Sequence, residues 1–482
     1  MNSQRNDARP GMLSMDQLRA AAAAGEIHTV VLAMVDMQGR LVGKRLGVRH
    51  FLDQVAEHHA EGCSYLLTVD VDVNPVQGYR MSSWETGYGD FVYVPDLSSL
   101  RRLPWMEGSA WVVCDLQWAD GQPVVASPRQ ILRRQIERLA AHGLEAFTAT
   151  ELEFIVFRDT YEQAWHKGYR DLRPANWYNV DYALLDTARL EPLLARIRNS
   201  MDQAGIRVEN SKGECNFGQY EINFSYGRAL EVADQHALYK HGAKEIAAQE
   251  GCSLTYMAKY NQREGNSCHV HMSVRDLEGR AVTATPNGQA PSVLFARFIA
   301  GQLACMRELT LLLAPNINSY KRYAKGSFAP TAIAWGRDNR TCAVRIVGHG
   351  PSLRLENRVP GGDVNAHLAL SAMLAAGIHG IEHELELEPP LQGNAYTSSR
   401  PHVPRSLNEA AALFASSKMA RSAFGDEVVE HYLQMAQAEM MLGAAEGLKK
   451  GGSGVEGAGM GMGMGMGFGM ANQMAQMMGQ QQ

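Results

Sequence analysis

The chain has little that marks a disulfide-stapled, membrane-spanning or nucleic-acid-binding protein. Its seven cysteines, at 63, 114, 215, 252, 268, 305 and 342, are odd in number and form no Cys-x-x-Cys pair. That excludes a disulfide frame and a thiolate zinc knuckle, and points to reduced thiols. No apolar run approaches the ~18 residues that a membrane span needs, and the opening MNSQRNDARPGMLS holds no apolar signal core. A cytoplasmic location is expected, with no membrane partner. A net charge of −5 gives no basic excess, so no nucleic-acid partner is expected either. Both a Gly-x4-Gly-Lys-Ser/Thr loop and a strand-GxGxxG-helix unit are missing, which leaves metals and arginines as the means of holding any nucleotide.

What the chain does have is charge on strand-like segments. Glu151 and Glu153 lie two apart in the apolar run FTATELEFIVF (147 to 157). Side chains at i and i+2 of a strand share one face about 7 Å apart, and two like charges buried there need cationic partners. Glu214 and Glu221 flank CNFGQY, His269 and His271 repeat the spacing in CHVHMSV, and Arg354, Glu356 and Arg358 repeat it in RLENR. Singly, each reads as a polar strand face or a surface ion-pair ladder of little energy. Together, oxygen-rich ligation with an imidazole suits Mg²⁺ or Mn²⁺, and arginines beside such a metal suit a polyphosphate.

Patterning divides the chain into four parts. Residues 1–14 are expected to be disordered. Residues 15–122 mix strand-like runs (Thr29 to Val35, Leu41 to Val42, Phe91 to Val94, Ala110 to Cys114) with turn signals at Gln38-Gly39 and Asp120-Gly121, and read as a small α+β domain. Ser127-Pro128 supplies a helix cap and first-turn proline, opening a large α+β domain over 123–448. Its amphipathic helices are expected near Gln235 to Gln249, Val293 to Leu313 and Ala366 to Ile378. From Lys449 the chain becomes a Gly/Met/Gln-rich tail to residue 482, where glycine at alternate positions costs too much backbone entropy for a packed strand.

From about residue 15 to 440 the chain resembles the glutamine synthetase superfamily. The resemblance rests on ExE at 151 to 153, GQYEINF at 218 to 224, HVHMS at 269 to 273, NSYKR at 318 to 322, Ala329-Pro330 followed by NRTCAVRI at 339 to 346, and RLENR at 354 to 358. It implies a β-grasp amino domain, a catalytic domain with a curved antiparallel sheet, and a double-ring homo-oligomer, a dodecamer, with sites between subunits. One metal would be held by Glu153, Glu214 and Glu221, the other by Glu151, His269 and Glu356. His271, Ser273, Arg345 and Arg354 would face ATP, Arg340 the transferring phosphate, and Arg322, Arg358 and Gly265 the glutamate. The implied reaction transfers the γ-phosphoryl group of ATP to glutamate, and an amine then attacks the acyl phosphate.

The departures from the family concern the amine. Phe328 stands where ammonia-using members carry a flap glutamate, and TVDVDVNPVQGYR (68 to 80) replaces the Asp-Gly-Ser-Ser loop of their ammonium site. The resemblance is therefore strongest to the γ-glutamylamine ligase branch, with Phe328 in the amine pocket and an organic primary amine such as ethanolamine, a polyamine, a monoalkylamine or an aniline as acceptor. Asp70, Asp72 or Glu264 could offer a counter-charge. Glu264 also replaces a family asparagine at the glutamate loop. Tyr396 lies near a position modified in some relatives, but GNAYTS reads better as a plain loop. An ammonia-using synthetase with a relocated base and a non-catalytic oligomer of the same fold remain as alternatives.

Overall fold

The structure is a computed structural model that describes residues 9–450, with side chains as far as residue 445. The chain divides into two units, Met1–Met440 and Met441–Gln482. Of the second, only the helical residues 441–450 are described. The tail from 451 onward and residues 1–8 lie outside the described residues. Lys449 and Lys450, expected to open the tail, instead close the helix Asp426–Lys450. Residues 9–14 are not loose as expected: Met12 bridges Arg101, Leu13 donates its N–H to the Leu100 carbonyl, and Ser14 forms a capping box with Gln17 on the helix Met15–Ala23.

Within the first unit the α+β expectation holds, and the strands form two sheets. The first takes β1 (Thr29–Val35), β2 (Leu41–Gly47), β3 (Ala60–Cys63), β4 (Asp90–Pro95), β5 (Arg101–Arg102) and β6 (Ser109–Gln117) in the order β2-β1-β6-β4-β3, with β5 on β6. β1 and β6 run parallel at its centre. Their Val-rich inner positions are almost wholly buried, as a strand covered on both faces requires. The expected turn at Gln38-Gly39 joins β1 to β2, Gly39 adopting φ +78°, a conformation glycine reaches without Cβ strain.

The second sheet holds the charged strands. It contains β7 (Leu144–Phe157), β8 (Val208–Gly213), β9 (Gln219–Phe224), β10 (Gly227–Arg228), β11 (Ser253–Thr255), β12 (Cys268–Asp276), β13 (Trp335–Arg337), β14 (Val344–Val347) and β15 (Arg354–Asn357). Its path is β13-β14-β15-β12-β7-β9-β8, with β10 and β11 also on β7. Every pairing is antiparallel except β13 with β14. Helices Pro128–Ala141, Ala229–Gln249, Val293–Leu313 and Ala366–Glu382 supply the apolar cover. Ser127 and Pro128 begin the first of these as expected, although the Ser127 side chain makes no cap hydrogen bond.

Candidate active site

Strand register brings the predicted acids and bases onto one face. His269 lies opposite Glu151, which lies opposite Asn223; Glu153 faces Glu221, and Glu221 faces Lys212. On the other side of β12, His271 faces Glu356, which in turn faces Arg345. Directly opposed antiparallel residues project to the same side, so six neighbouring strands build one charged surface. Nothing in the composition of any one strand specifies that surface; the register does.

Hydrogen bonds divide the surface into two halves. In the first, Glu151 is reached by His271 Nε2 at 2.8 Å and His269 Nδ1 at 3.3 Å, and Glu356 by Arg345 Nη1 at 2.8 Å and by Arg358. Glu356 is wholly buried, a position that a carboxylate keeps only with charged donors around it. Burial pushes the Glu151 carboxyl up, but the hydrogen bonds from His269 and His271 prevail and hold it below the usual carboxylate range. Glu356 is likewise held down against its burial, by His269 and Arg358. Burial, aided by the Arg358 charge, lowers His269.

In the second half, Glu153 accepts from the Ser267 N–H at 2.7 Å and from Gln219 Nε2 at 3.2 Å. Glu214 and Glu221 pair with Lys212, the latter at 3.5 Å. Burial and the neighbouring Glu151 charge push the Glu221 carboxyl up to about 7.

Both halves fit a hard cation. Glu153, Glu214 and Glu221 bring ligand oxygens within 4.8 Å of one another, the set expected for the first metal. Two further groups lie at this separation: Glu151, His271 and Glu356 on the same face, and Asp181, Glu214 and Cys215 at its margin. The expected imidazole was His269; the register instead puts His271 directly across from Glu356, while His269 Nδ1 stands 3.7 Å from Glu356. The His269 Nε2 atom is buried without a partner, a second sign that this face is built for a ligand.

The remaining predicted residues surround this face to different degrees. Arg354 Nε reaches His271 Nδ1 at 3.2 Å, and Arg345 also holds Asp338 at 3.0 Å. Ser273 lies farther along the same face of β12, opposite Phe147. Arg340 is exposed on the turn before β14, outside the group. Arg322 is almost wholly buried and donates to the carbonyls of Arg358, Val359 and Pro360 and to Ser267 Oγ, so much of its donor capacity is spent inside the chain. The Nε atoms of Arg322 and Arg358 are buried and unpartnered. Gly265 is fixed by space, since a Cβ there would lie 2.1 Å from the Ala258 carbonyl.

The expected amine pocket is a loop. Phe328 is 57 % exposed with φ +57°, and its carbonyl accepts from Arg358 Nη2 at 3.4 Å. Tyr396, read from sequence as a plain loop tyrosine, donates its hydroxyl to the Ala329 carbonyl at 2.9 Å. Asp70 is engaged in its own loop, accepting from the N–H groups of Asp72 and Asn74 at 2.9 and 2.8 Å. Glu264 is half-buried, and its carbonyl accepts from Asn216 Nδ2 at 2.6 Å.

Sequence reasoning missed Lys212, Gln219, Ser267 and Asp338. The Lys212-x-Glu214 spacing was a usable signal for the first. The backbone N–H of Ser267 left none.

Residues 125–446 match the family model described as glutamine synthetase, catalytic domain. The chain is 62% identical over 428 residues to the gamma-glutamylethanolamide synthetase of Streptomyces coelicolor, covering 89% of this chain and 92% of that protein. It is 40% identical over 416 residues to a glutamate–isopropylamine ligase of a Pseudomonas species, with 85% and 90% covered. A solved structure of GmaS in complex with ADP shares the fold, with a TM-score of 0.78 and 24% identity over 89% of this chain and 96% of that one. Matched in this way over most of its length, the chain belongs to the glutamine synthetase family.

Proposed function

We propose that this chain is an ATP-dependent ligase that joins the γ-carboxylate of glutamate to an organic primary amine through γ-glutamyl phosphate. The observation that carries the reading is Phe328: an exposed aromatic ring on the flap tied to Arg358, where an ammonium site needs an anion. A phenyl group neither accepts a proton nor compensates a cation, so the flap favours the uncharged or apolar part of a substituted amine. A gamma-glutamylethanolamide synthetase and a glutamate–isopropylamine ligase among the relatives support the same reading, and ethanolamine is the first acceptor to test.

In this reading Glu153, Glu214 and Glu221 would hold one divalent cation, and Glu151 and Glu356 with His269 or His271 the other, Mg²⁺ or Mn²⁺ supplying charge neutralisation for the phosphates. Arg345 and Arg354, already turned to the carboxylate face by Glu356 and His271, bind nucleotide with Ser273 beside them. Arg340, exposed beside Asp338, meets the transferring phosphoryl group. Arg322 and Arg358, with Gly265, seat the glutamate and position its γ-carboxylate for attack on ATP. The amine, as the free base, then attacks the acyl carbon, the C–O bond to phosphate breaks, the nitrogen releases one proton to solvent, and phosphate leaves with the arginines still aimed at it. The residues before about 122 act as an amino domain that completes a neighbouring subunit's site in a double ring. Among the described residues no helix is long and apolar enough to cross a membrane.

The test is phosphate release from ATP with glutamate and Mg²⁺ across a panel of ethanolamine, isopropylamine, polyamines, an aniline and ammonium. A substituted amine with kcat/KM well above that of ammonium is expected. Ammonium as the best acceptor would overturn the reading in favour of a glutamine synthetase.

A further inference from the structure

The two halves of the carboxylate face are neutralised differently. Around Glu356 the cations are Arg345 and Arg358, held by planar guanidinium contacts and little exposed. Among the described residues, the cation paired with Glu214 and Glu221 is Lys212. Glu153, the third member of that triad, has neutral donors in Ser267 and Gln219. Two of the three carboxylates thus share one ammonium, borne on β8, the edge strand of the sheet. Its stem is a flexible chain. The Tyr182 ring, itself 70 % exposed, lies 5.0 Å from the ammonium and offers it a second resting place.

We infer that Lys212 is a built-in counter-ion of the Glu153, Glu214 and Glu221 triad, occupying the cation's place in the metal-free protein and giving way when a divalent ion binds. Opposite Glu221 in the register, it limits the repulsion that would otherwise open the face, and it lowers metal affinity because the ion must displace it. Lys212 is therefore a positioning residue whose effect is on the site's occupancy. The inference rests on reading the triad as a cation site and does not depend on the identity of the amine.

The experiment uses the full chain at pH 8 without substrates, comparing wild type with Lys212→Met and Lys212→Arg. Thermal unfolding is followed in chelator and in saturating Mn²⁺, and Mn²⁺ affinity is measured by calorimetry. Lys212→Met is expected to lower Tm in chelator, to recover wild-type Tm in Mn²⁺, and to bind Mn²⁺ several-fold more tightly. Lys212→Arg is expected to keep the wild-type Tm in chelator. Lys212→Gln serves in place of the methionine variant if that protein does not fold. Unchanged or weaker Mn²⁺ binding by the neutral variant would overturn the inference while leaving the cation site intact. Wild-type protein with no saturable Mn²⁺ binding would overturn both.

Discussion

The carboxylate face and the flap at 323–330 are built in opposite ways. On the face, most charged side chains stand on strands and their neighbours are fixed by register: Glu151 beside His269, Glu153 beside Glu221, Glu356 between His271 and Arg345; Glu214 and Arg358 follow directly on strand ends. The flap has no ladder. It is held by side-chain contacts to backbone carbonyls, from Arg358 to Phe328, Tyr396 to Ala329, and Ser327 to Ala324. In the proposed reading, chemistry that needs sub-ångström placement sits on rigid elements, and amine selection falls to a loop that can change without disturbing them. Substitutions on the two regions should consequently damage different kinetic quantities.

The largest effect is expected on the rigid side. Glu153→Ala removes one of three converging carboxylates and leaves the Ser267 N–H and the Gln219 amide without their acceptor. Phosphate release with any amine should fall by orders of magnitude while circular dichroism stays near wild type, because the change opens a polar surface and leaves the apolar core alone. A variant that retained wild-type turnover in excess chelator would separate this face from the chemistry altogether.

A smaller effect, of opposite sign in two conditions, comes from Glu221. Its carboxyl is raised from the ordinary value of 4.5 to about 7 by burial and by Glu151. A raised folded-state value contributes stability that is fully present below the unfolded value and is lost as pH rises through the folded one. Metal-free protein should therefore lose stability between about pH 4.5 and 7, by on the order of 3 kcal/mol if the whole shift is expressed. Glu151 and Glu356, held down, act below that window. A divalent ion takes the deprotonated carboxylate, so in saturating Mg²⁺ the slope should vanish or reverse. Urea unfolding at several pH values, with and without Mg²⁺, measures both limbs; a flat metal-free curve would contradict the shift.

The same contrast explains what the sequence made legible. Period-two spacing identified Glu151 with Glu153, His269 with His271, and Arg354 with Glu356 and Arg358 as shared faces, because that periodicity is local. Amphipathic spacing, equally local, located the helices Val293–Leu313 and, in part, Ala366–Glu382 and Ala229–Gln249, the last beginning six residues before its expected start. Pairing between strands far apart in the chain is non-local. That His271, and not His269, faces Glu356 follows from the offset of β12 against β15, which no single segment encodes. Lys212 was only half legible: its spacing to Glu214 is local, but its other partner, Glu221, lies across a strand pair. The flap's supports were hidden more deeply, since Tyr396 and Arg358 bind backbone carbonyls that carry no side-chain signature.

On the flap, Phe328→Glu should narrow the preference for organic amines over ammonium by about 1 to 3 kcal/mol, the usual range for one contact in a pocket. The measurement is the ratio of kcat/KM for ethanolamine and ammonium in the two proteins. Position 328 has φ +57°, and glutamate has no more strain there than phenylalanine, so the fold should tolerate the change. An unaltered ratio would move amine selection away from the flap, towards the loop that Asp70 organises.

The smallest effect isolates the flap's anchoring. Tyr396→Phe keeps the ring and removes only the hydroxyl that donates to the Ala329 carbonyl, a loss of about 1 kcal/mol for a single neutral hydrogen bond. Asn394 still caps the short helix Ala395–Thr397 and Thr341 still accepts the Ala395 N–H, so the segment bearing position 396 should stay where it is. The energy is then felt on the flap alone. KM for the amine should rise several-fold at saturating ATP and glutamate, with kcat and the KM values for ATP and glutamate little changed. Equal weakening of glutamate would mean that the flap and the arginine side of the site move as one body, and the division between a rigid chemical face and an adjustable amine loop would no longer hold.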